Sequence, residues 1–319
     1  MSTLFEEIRS ACAQVAGKAR SVAIDTRALD ALAARLAVTE PPPETLDPAH
    51  HYLADDATTL AYVLTLDAIN FGSGWFPVLR KRPGCSGYFT LASALRDRFE
   101  QRGAWSAAEL STLSARDCAE VLGQSPADAE VVELMELYAR ALRDLGNHLL
   151  ERHGGDFAGP VAAAGGSAEQ LVAELARMPL YRDVAVYEGL EVPFYKRAQL
   201  TVADLTAAFH GEGPGRFGDL GQLTLFADNL VPHVLRWEGV LCYTPELAQC
   251  IDRGERLAAG SPEEVEIRAV ALHAVEGLVA ATVGRRPLRA QQLDHLLWSR
   301  GQLPEFKSRP RHRTRSPYY

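Results

Sequence analysis

The chain has 319 residues, 47% hydrophobic and 23% charged, enough for one large domain or two modest ones and far from the composition of a disordered chain. Its 33 Lys and Arg against 41 Asp and Glu leave a formal charge of −8. That balance argues against broad electrostatic binding to nucleic acid or anionic lipid and leaves room for a small anion held by a local cluster of donors.

Cys12, Cys85, Cys118, Cys242 and Cys250 are scattered and never form C-x-x-C, so no zinc or iron–sulfur spacing is present and cytosolic usage is expected. The opening "STLFEEIRSACAQVA" lacks the basic and apolar regions of a secretory signal. No run reaches the roughly eighteen apolar residues of a membrane helix. The expectation is a soluble cytoplasmic protein, with monomer as the default state.

In chain order the pattern is helical. Leu4 to Leu36 reads as two helices separated around Val22 to Asp25, and "TEPPPETLDP" (Thr39 to Pro48) as a rigid polar connector. "DATTLAYVLTLDAIN" reads as a buried helix ended by the glycines and proline of "FGSGWFP". "PGCSG" is a second turn before "YFTLASALRDRFEQRG". Ser125, with Pro126 at the first helical position, predicts the start of a long amphipathic helix carrying Val131, Leu134, Met135, Tyr138, Leu142, Leu145 and Leu149.

"HGGDFAGPVAAAGGSAEQL" reads as a loop with Ser167 capping the next helix. Ser261-Pro262-Glu263-Glu264 is a capping box with proline at the first position, and Glu264 and Arg268 are spaced to pair on that helix's polar side. Short extended pieces are expected at Val184 to Tyr187 and Val240 to Cys242. No strand–helix alternation, repeat or G-x-G-x-x-G fingerprint is present. The fold class is all-α, with minor short β segments.

Four stretches carry chemistry. In "TLFADNLVPHVLRW", Asp228 precedes a helix; a carboxylate there accepts backbone N–H bonds, and such bonds favour its ionised form. That form suits a nucleophile or the stabiliser of a developing cation, so a cap and a catalytic group are compatible readings. In "FYKRAQLTVADL", Tyr195, Lys196 and Arg197 open a helix. Solvated surface is the plain reading of the two cations, and a grip on phosphate or carboxylate is the sharper one.

"LDAINFGSGWF" supplies Asp67 and Asn70 beside Phe71, Trp75 and Phe76, a set suited to a flat heteroaromatic ligand but equally to a helix end with core aromatics. Asp67 is the more suggestive member, because an unpaired charge in an apolar helix is costly. Asp294 in "RAQQLDHLLW" reads as a buried structural acceptor. His50, His51 and His233 stand apart from any triad or metal pattern. The basic tail "FKSRPRHRTRSPYY" (residues 305–319) reads as a frayed end or as a strap that closes over an anion.

Taken together, "LDAINFGSGWFP", "PGCSGYFTLASAL", "VPFYKRAQLTVADL", "LTLFADNLVPHVLRWEGVLCYTPEL", "GSPEEVEIRAVALHAVE", "QLDHLLW" and the terminal tyrosine pair resemble the queuosine salvage proteins, in family order from about residue 50 to residue 319. The resemblance implies a single domain over 1–319, with two helical lobes flanking a ligand cleft as one arrangement of it. It also implies a helical fold akin to the helix–hairpin–helix DNA glycosylases.

The implied reaction is hydrolysis of the N-glycosidic bond of queuosine 5′-monophosphate, with release of queuine and no metal or organic cofactor. The family's key aspartate falls on Asp228 and its substrate-site lysine on Lys196, placed at the phosphate. Asp67, Asn70, Phe71, Trp75 and Phe76 are looser base-side assignments, Asp67 toward the cationic amine of queuine. Where many members read "FADYRVPQ", this chain has Asn229, Leu230 and His233. The role of the missing arginine then passes to Arg197 or Arg236, and Tyr195 and His233 join the substrate-contact set. The rival readings are a DNA-repair glycosylase, opposed by the charge of −8, and a non-enzymatic helical adaptor in which Asp228 only caps.

Overall fold

The computed structural model describes residues 2–41, 43–284 and 286–319. Met1 and Pro42, the latter inside the connector expected at Thr39 to Pro48, lie outside the described residues. In chain order the elements are α1 (Leu4–Lys18), β1 (Val22–Ile24), α2 (Thr26–Leu36), α3 (Asp56–Ala68), α4 (Gly87–Arg102), α5 (Ala107–Leu110), α6 (Ala115–Val121), α7 (Ala129–His153), α8 (Ala158–Ala164) and α9 (Ala168–Leu175). They continue with β2 (Val184–Tyr187), β3 (Leu190–Pro193), α10 (Lys196–Ala208), α11 (Leu230–Trp237), β4 (Leu241–Tyr243), α12 (Pro245–Asp252), α13 (Pro262–Thr282), α14 (Ala290–Gly301) and α15 (Pro304–Lys307). The chain is predominantly α-helical, as the periodicity predicts.

Two helices are apolar on nearly every side and organise the rest. α3 is buried continuously from Thr59 to Ala68 and packs on α4, α7 and α10. α13 packs on α1, α2, α11 and α14. The strands form two minimal sheets: β1 pairs antiparallel with β4, Val22 opposite Tyr243, and β2 pairs with β3, Val184 opposite Pro193. The β2–β3 turn is Glu188-Gly189, with φ of 48° and 83°; positive φ at both central residues matches the right-handed twist of a two-residue hairpin.

Local details depart from the sequence reading in four places. The long helix starts at Ala129, capped by Asp128, whose Oδ1 accepts the Glu130 amide at 2.9 Å; Ser125 stands one turn too early. A short helix, α8, forms inside the segment expected to be all loop. Ser261 does cap α13, but the Glu264 carboxylate reaches back to the Gly260 amide at 3.1 Å, one residue before the cap. Finally, Glu264 and Arg268 lie in the interior, 3.8 Å apart and each 2% exposed, and not on a solvated face. Their burial has a cause: Arg268 meets Asp183, and Glu264 accepts from the Tyr319 hydroxyl at 2.8 Å.

Candidate active site

The site is framed by the entrances to α10 and α11. At the first, the chain turns through Tyr195 with φ 47°, a left-handed conformation that costs a non-glycine residue on the order of 1 kcal/mol and persists only where the surroundings hold it. Asp183 holds it. Its carbonyl accepts the amides of Phe194 and Tyr195 at 2.9 and 3.2 Å, and its carboxylate accepts the Lys196 amide at 3.2 Å. Arg268 grips the same carboxylate at 3.0 and 2.6 Å and donates from Nε to the carbonyl of Ala227 at 3.0 Å. One guanidinium therefore fixes both the start of α10 and the residue before Asp228. Gln199 adds a second tie, bonding the amide and hydroxyl of Thr224 at 2.8 and 2.9 Å.

At the second entrance, Asp228 is half-buried. Its Oδ1 accepts the amides of Leu230 and Val231 at 2.7 and 3.2 Å. Both bonds fall on one oxygen, and Oδ2 has no protein partner among the described residues. The carboxylate thus caps the helix through one oxygen alone.

Lys196 is 7% exposed, with Nζ 3.3 Å from the carbonyl oxygen of Asn70. Burial pushes its ammonium below the ordinary lysine range, and the charges of Asp228, Asp67 and Asp294 oppose that. Asp294, on α14, accepts the Phe226 amide at 3.2 Å; burial, then the nearby charge of Asp228, raises its pKa well above the usual carboxylate range. Asp67, at the end of α3, is fully buried, bonds Asn70 Nδ2 at 3.4 Å through Oδ1 and touches the carboxyl of Asp204 from α10. Burial raises Asp67 to about 6, and burial, then the charge of Asp67, raises Asp204 well above the usual carboxylate range. Two carboxyl groups side by side away from water resist ionising together, and burial raises both.

The sequence-predicted residues divide accordingly. Asp67, Asn70, Lys196 and Asp228 come together; half-buried Tyr195 flanks them as the strained turn residue. Phe71 lies in the core, edge-on to Tyr138 at 5.0 Å, and Trp75 is buried with Nε1 on Glu133 at 2.9 Å. Phe76 is half-buried, packed against the start of α4 at Gly87. Arg197 is 1% exposed, stacked between Phe71 and Tyr181 and bonded to the carbonyls of Ala68 and Leu180. His233 bonds the carbonyl of Phe306 at 2.9 Å, and Arg236 pairs with Asp252 at 3.1 Å. Each of the last three has an internal partner, although Arg197 Nε, His233 Nδ1 and Arg236 Nη1 are buried without one among the described residues.

Asp204 escaped the sequence reading. Its signal was the one that singled out Asp67: a lone acid in an otherwise apolar helical stretch, here eight residues from Lys196 and so on the same face of α10.

Two other features do not compete for this role. A cavity of about 600 Å³ lined by Arg9, Leu223, Glu276 and Arg289, among others, shares no residue with the cluster, and its carboxylate is already paired, Arg9 to Glu276 at 3.2 Å. His148, His153 and Glu174 present ligand atoms within 4.8 Å of one another. Arg152 and Arg177 already occupy Glu174 at 2.9 and 2.8 Å, however, so a divalent ion would enter positive surroundings. Among the described residues no helix is long and apolar enough to cross a membrane.

The family described as "Queuosine salvage protein" matches residues 50–319. A protein of Sphaerobacter thermophilus named queuosine 5′-phosphate N-glycosylase/hydrolase is 40% identical over 313 residues, covering 96% of this chain and 95% of the relative. The mouse protein of the same name is 33% identical, covering 83% of each chain, and the Schizosaccharomyces pombe protein 30%, covering 78% and 76%. The chain belongs to the queuosine salvage protein family.

Proposed function

We propose that the protein hydrolyses the N-glycosidic bond of queuosine 5′-phosphate, releasing queuine and ribose 5-phosphate. The observation that supports this reading is the divided carboxylate of Asp228: one oxygen is fixed by two helix amides, the other is unpartnered among the described residues, and the Lys196 charge acts on it. As the glycosidic bond breaks, its electron pair leaves with the base nitrogen and positive character develops at the ribose carbon. Asp228, already positioned and needing no reorganisation, stabilises that charge. Water then supplies hydroxide to the sugar carbon and its proton to the departing base.

The Asp67–Asp204 pair serves the base side. A carboxyl pair holding one proton and one negative charge can accept from the cationic amine of queuine while still presenting a hydrogen-bond donor. Lys196, enclosed by the carboxylates of Asp67, Asp228 and Asp294, is better placed as their counter-ion than as the phosphate grip expected from sequence. Without it the buried acids would repel one another with no positive charge among them.

The test is incubation with queuosine 5′-phosphate, queuosine and guanosine 5′-phosphate, followed by chromatographic detection of free base. Release of queuine from the first substrate, with guanosine 5′-phosphate left intact, is expected. Release of guanine at a comparable rate would remove the base-side role of the acid pair, and no release of queuine would remove the activity.

A further inference from the structure

Between α1, α13, the turn at 221–223 and the start of α14 lies a cavity of about 600 Å³, within the size range of small-molecule pockets. Leu223, Val279, Val283 and Leu288 supply apolar wall, and Arg9, Glu276, Arg289 and Gln292 the polar part. Leu223 and Leu288 are buried, whereas Val283 is 65% exposed. An apolar side chain left open beside such a hollow gains by being covered.

The charges on these walls do not cancel. Arg9 and Glu276 neutralise each other, Nε to Oε2 at 3.2 Å, and Arg9 Nη2 also donates to the Gln222 carbonyl at 2.6 Å. Arg289 forms no ion pair among the described residues, and its guanidinium lies along Gly221, where an added Cβ would sit 3.5 Å from Nε. It also occupies the N-cap of α14, the positive end of that helix. A guanidinium carries only donors and cannot accept the first amides of the helix. The amide of Ala290, itself a wall residue, has no acceptor among the described residues. An unmatched cation and an open amide thus border one largely apolar hollow.

We propose that this cavity binds a small organic carboxylate with an apolar body, the carboxylate meeting Arg289 and the Ala290 amide and the body covering Val279, Val283 and Leu288. A guanidinium meets both oxygens of a carboxylate at once, and a helix N-terminus adds to the attraction. One unmatched guanidinium suits one negative charge, and a dianion would leave its second charge unpaired on a chain of net −8. The site stands apart from the reaction: it shares no residue with Asp67, Lys196, Asp204, Asp228 or Asp294.

The experiment is calorimetric titration of the full chain with 4-phenylbutyrate, with its neutral counterpart 4-phenylbutan-1-ol and with acetate, at low salt, for wild type, Arg289→Gln and Val283→Glu. Wild type is expected to bind 4-phenylbutyrate saturably and more tightly than either of the others, since the alcohol lacks the charge and acetate the apolar body. Arg289→Gln should weaken 4-phenylbutyrate by about 10- to 100-fold, the range for losing a charged hydrogen bond. The same change should leave the alcohol unaffected. Val283→Glu places a like charge beside the ligand at an exposed position and should weaken 4-phenylbutyrate while the cation stays in place. Should Arg289→Gln melt early, Val283→Glu decides alone. Absence of saturable binding in wild type overturns the proposal, as does equal affinity for acid and alcohol. Binding of 4-phenylbutyrate that neither substitution weakens places the ligand elsewhere and overturns it too.

Discussion

Arg268 and Asp183 form a bidentate ion pair, 3.0 and 2.6 Å, in which both side chains are almost completely buried. The guanidinium also lies over Phe194 at 3.9 Å and Tyr319 at 4.8 Å. Through this pair the start of α10, the segment before α11 and the end of the chain share one support. Removing one partner leaves the other charged and buried, which typically costs about 3–5 kcal/mol. Arg268→Ala is therefore expected to lower the melting temperature by on the order of 10 °C. A melting temperature within a degree or two of wild type would mean that the pair is not the support described here.

The two tasks of Asp228 can be separated by substitution. Asp228→Asn keeps an oxygen for the Leu230 and Val231 amides and removes the charge, whereas Asp228→Ala removes both. Loss of the cap should cost about 1 kcal/mol, visible only in Asp228→Ala. Loss of charge stabilisation should cost both variants on the order of 100-fold or more in kcat. Denaturant melts read the first effect and single-turnover base release the second. If Asp228→Asn turns over at nearly the wild-type rate, the side chain is a cap and nothing more.

The acid pair makes a prediction about pH. Asp67 rises to about 6 in the folded chain because it is buried, against an ordinary carboxylate value of about 4. Between those values the folded state holds a proton that the unfolded state has released. Stability must therefore fall as pH rises through this window, with the full penalty present above it. Asp204→Asn removes one acid of the pair, so the substrate-free protein should melt a few degrees higher at pH 7 and differ little at pH 4. The same variant should lose discrimination for the aminated base. A stability gain equal at both pH values would show that like-charge crowding is not what the substitution relieves.

Sequence pattern revealed the helices and the Asp228 entrance, because each depends on residues a few positions apart. The Val184 to Tyr187 strand was legible for the same reason: Glu188-Gly189 closes its hairpin locally. What stayed hidden depended on distant partners. Arg268 read as the polar face of a helix because Asp183, which draws it inside, is 85 residues away. Arg197 read as solvated surface or as a ligand contact because the carbonyls of Ala68 and Leu180 that it bonds belong to other segments. Phe71 and Trp75 read equally well as ring-stacking faces or as core, and only Tyr138 and Glu133, on α7, decide for core. Family resemblance supplied Lys196, but the acids that surround it became visible only when α3, α10, α11 and α14 were brought together.

The tail is docked and not frayed: Asn229 Nδ2 donates to the His312 carbonyl at 3.4 Å, and the Tyr319 hydroxyl to Glu264 at 2.8 Å. That docking can be tested without touching a charged group. Gly74 approaches the Thr314 carbonyl so closely that any added Cβ would overlap it, and the obstacle is backbone, which cannot rotate aside. Gly74→Ala should therefore lift the tail while leaving Arg268, Lys196 and Asp228 in place. Trypsin should then cut within the segment from Lys307 to Arg315 several-fold faster than in wild type, because a displaced tail offers its basic residues to the protease. Affinity for the substrate should fall with it, as a rise in KM exceeding any change in kcat, since remote positioning is lost while the reacting carboxylate remains. Equal protection of the tail in both proteins would mean that the turn yields more easily than the tail. Faster cleavage with an unchanged KM would mean that the tail packs beside the cleft and takes no part in binding.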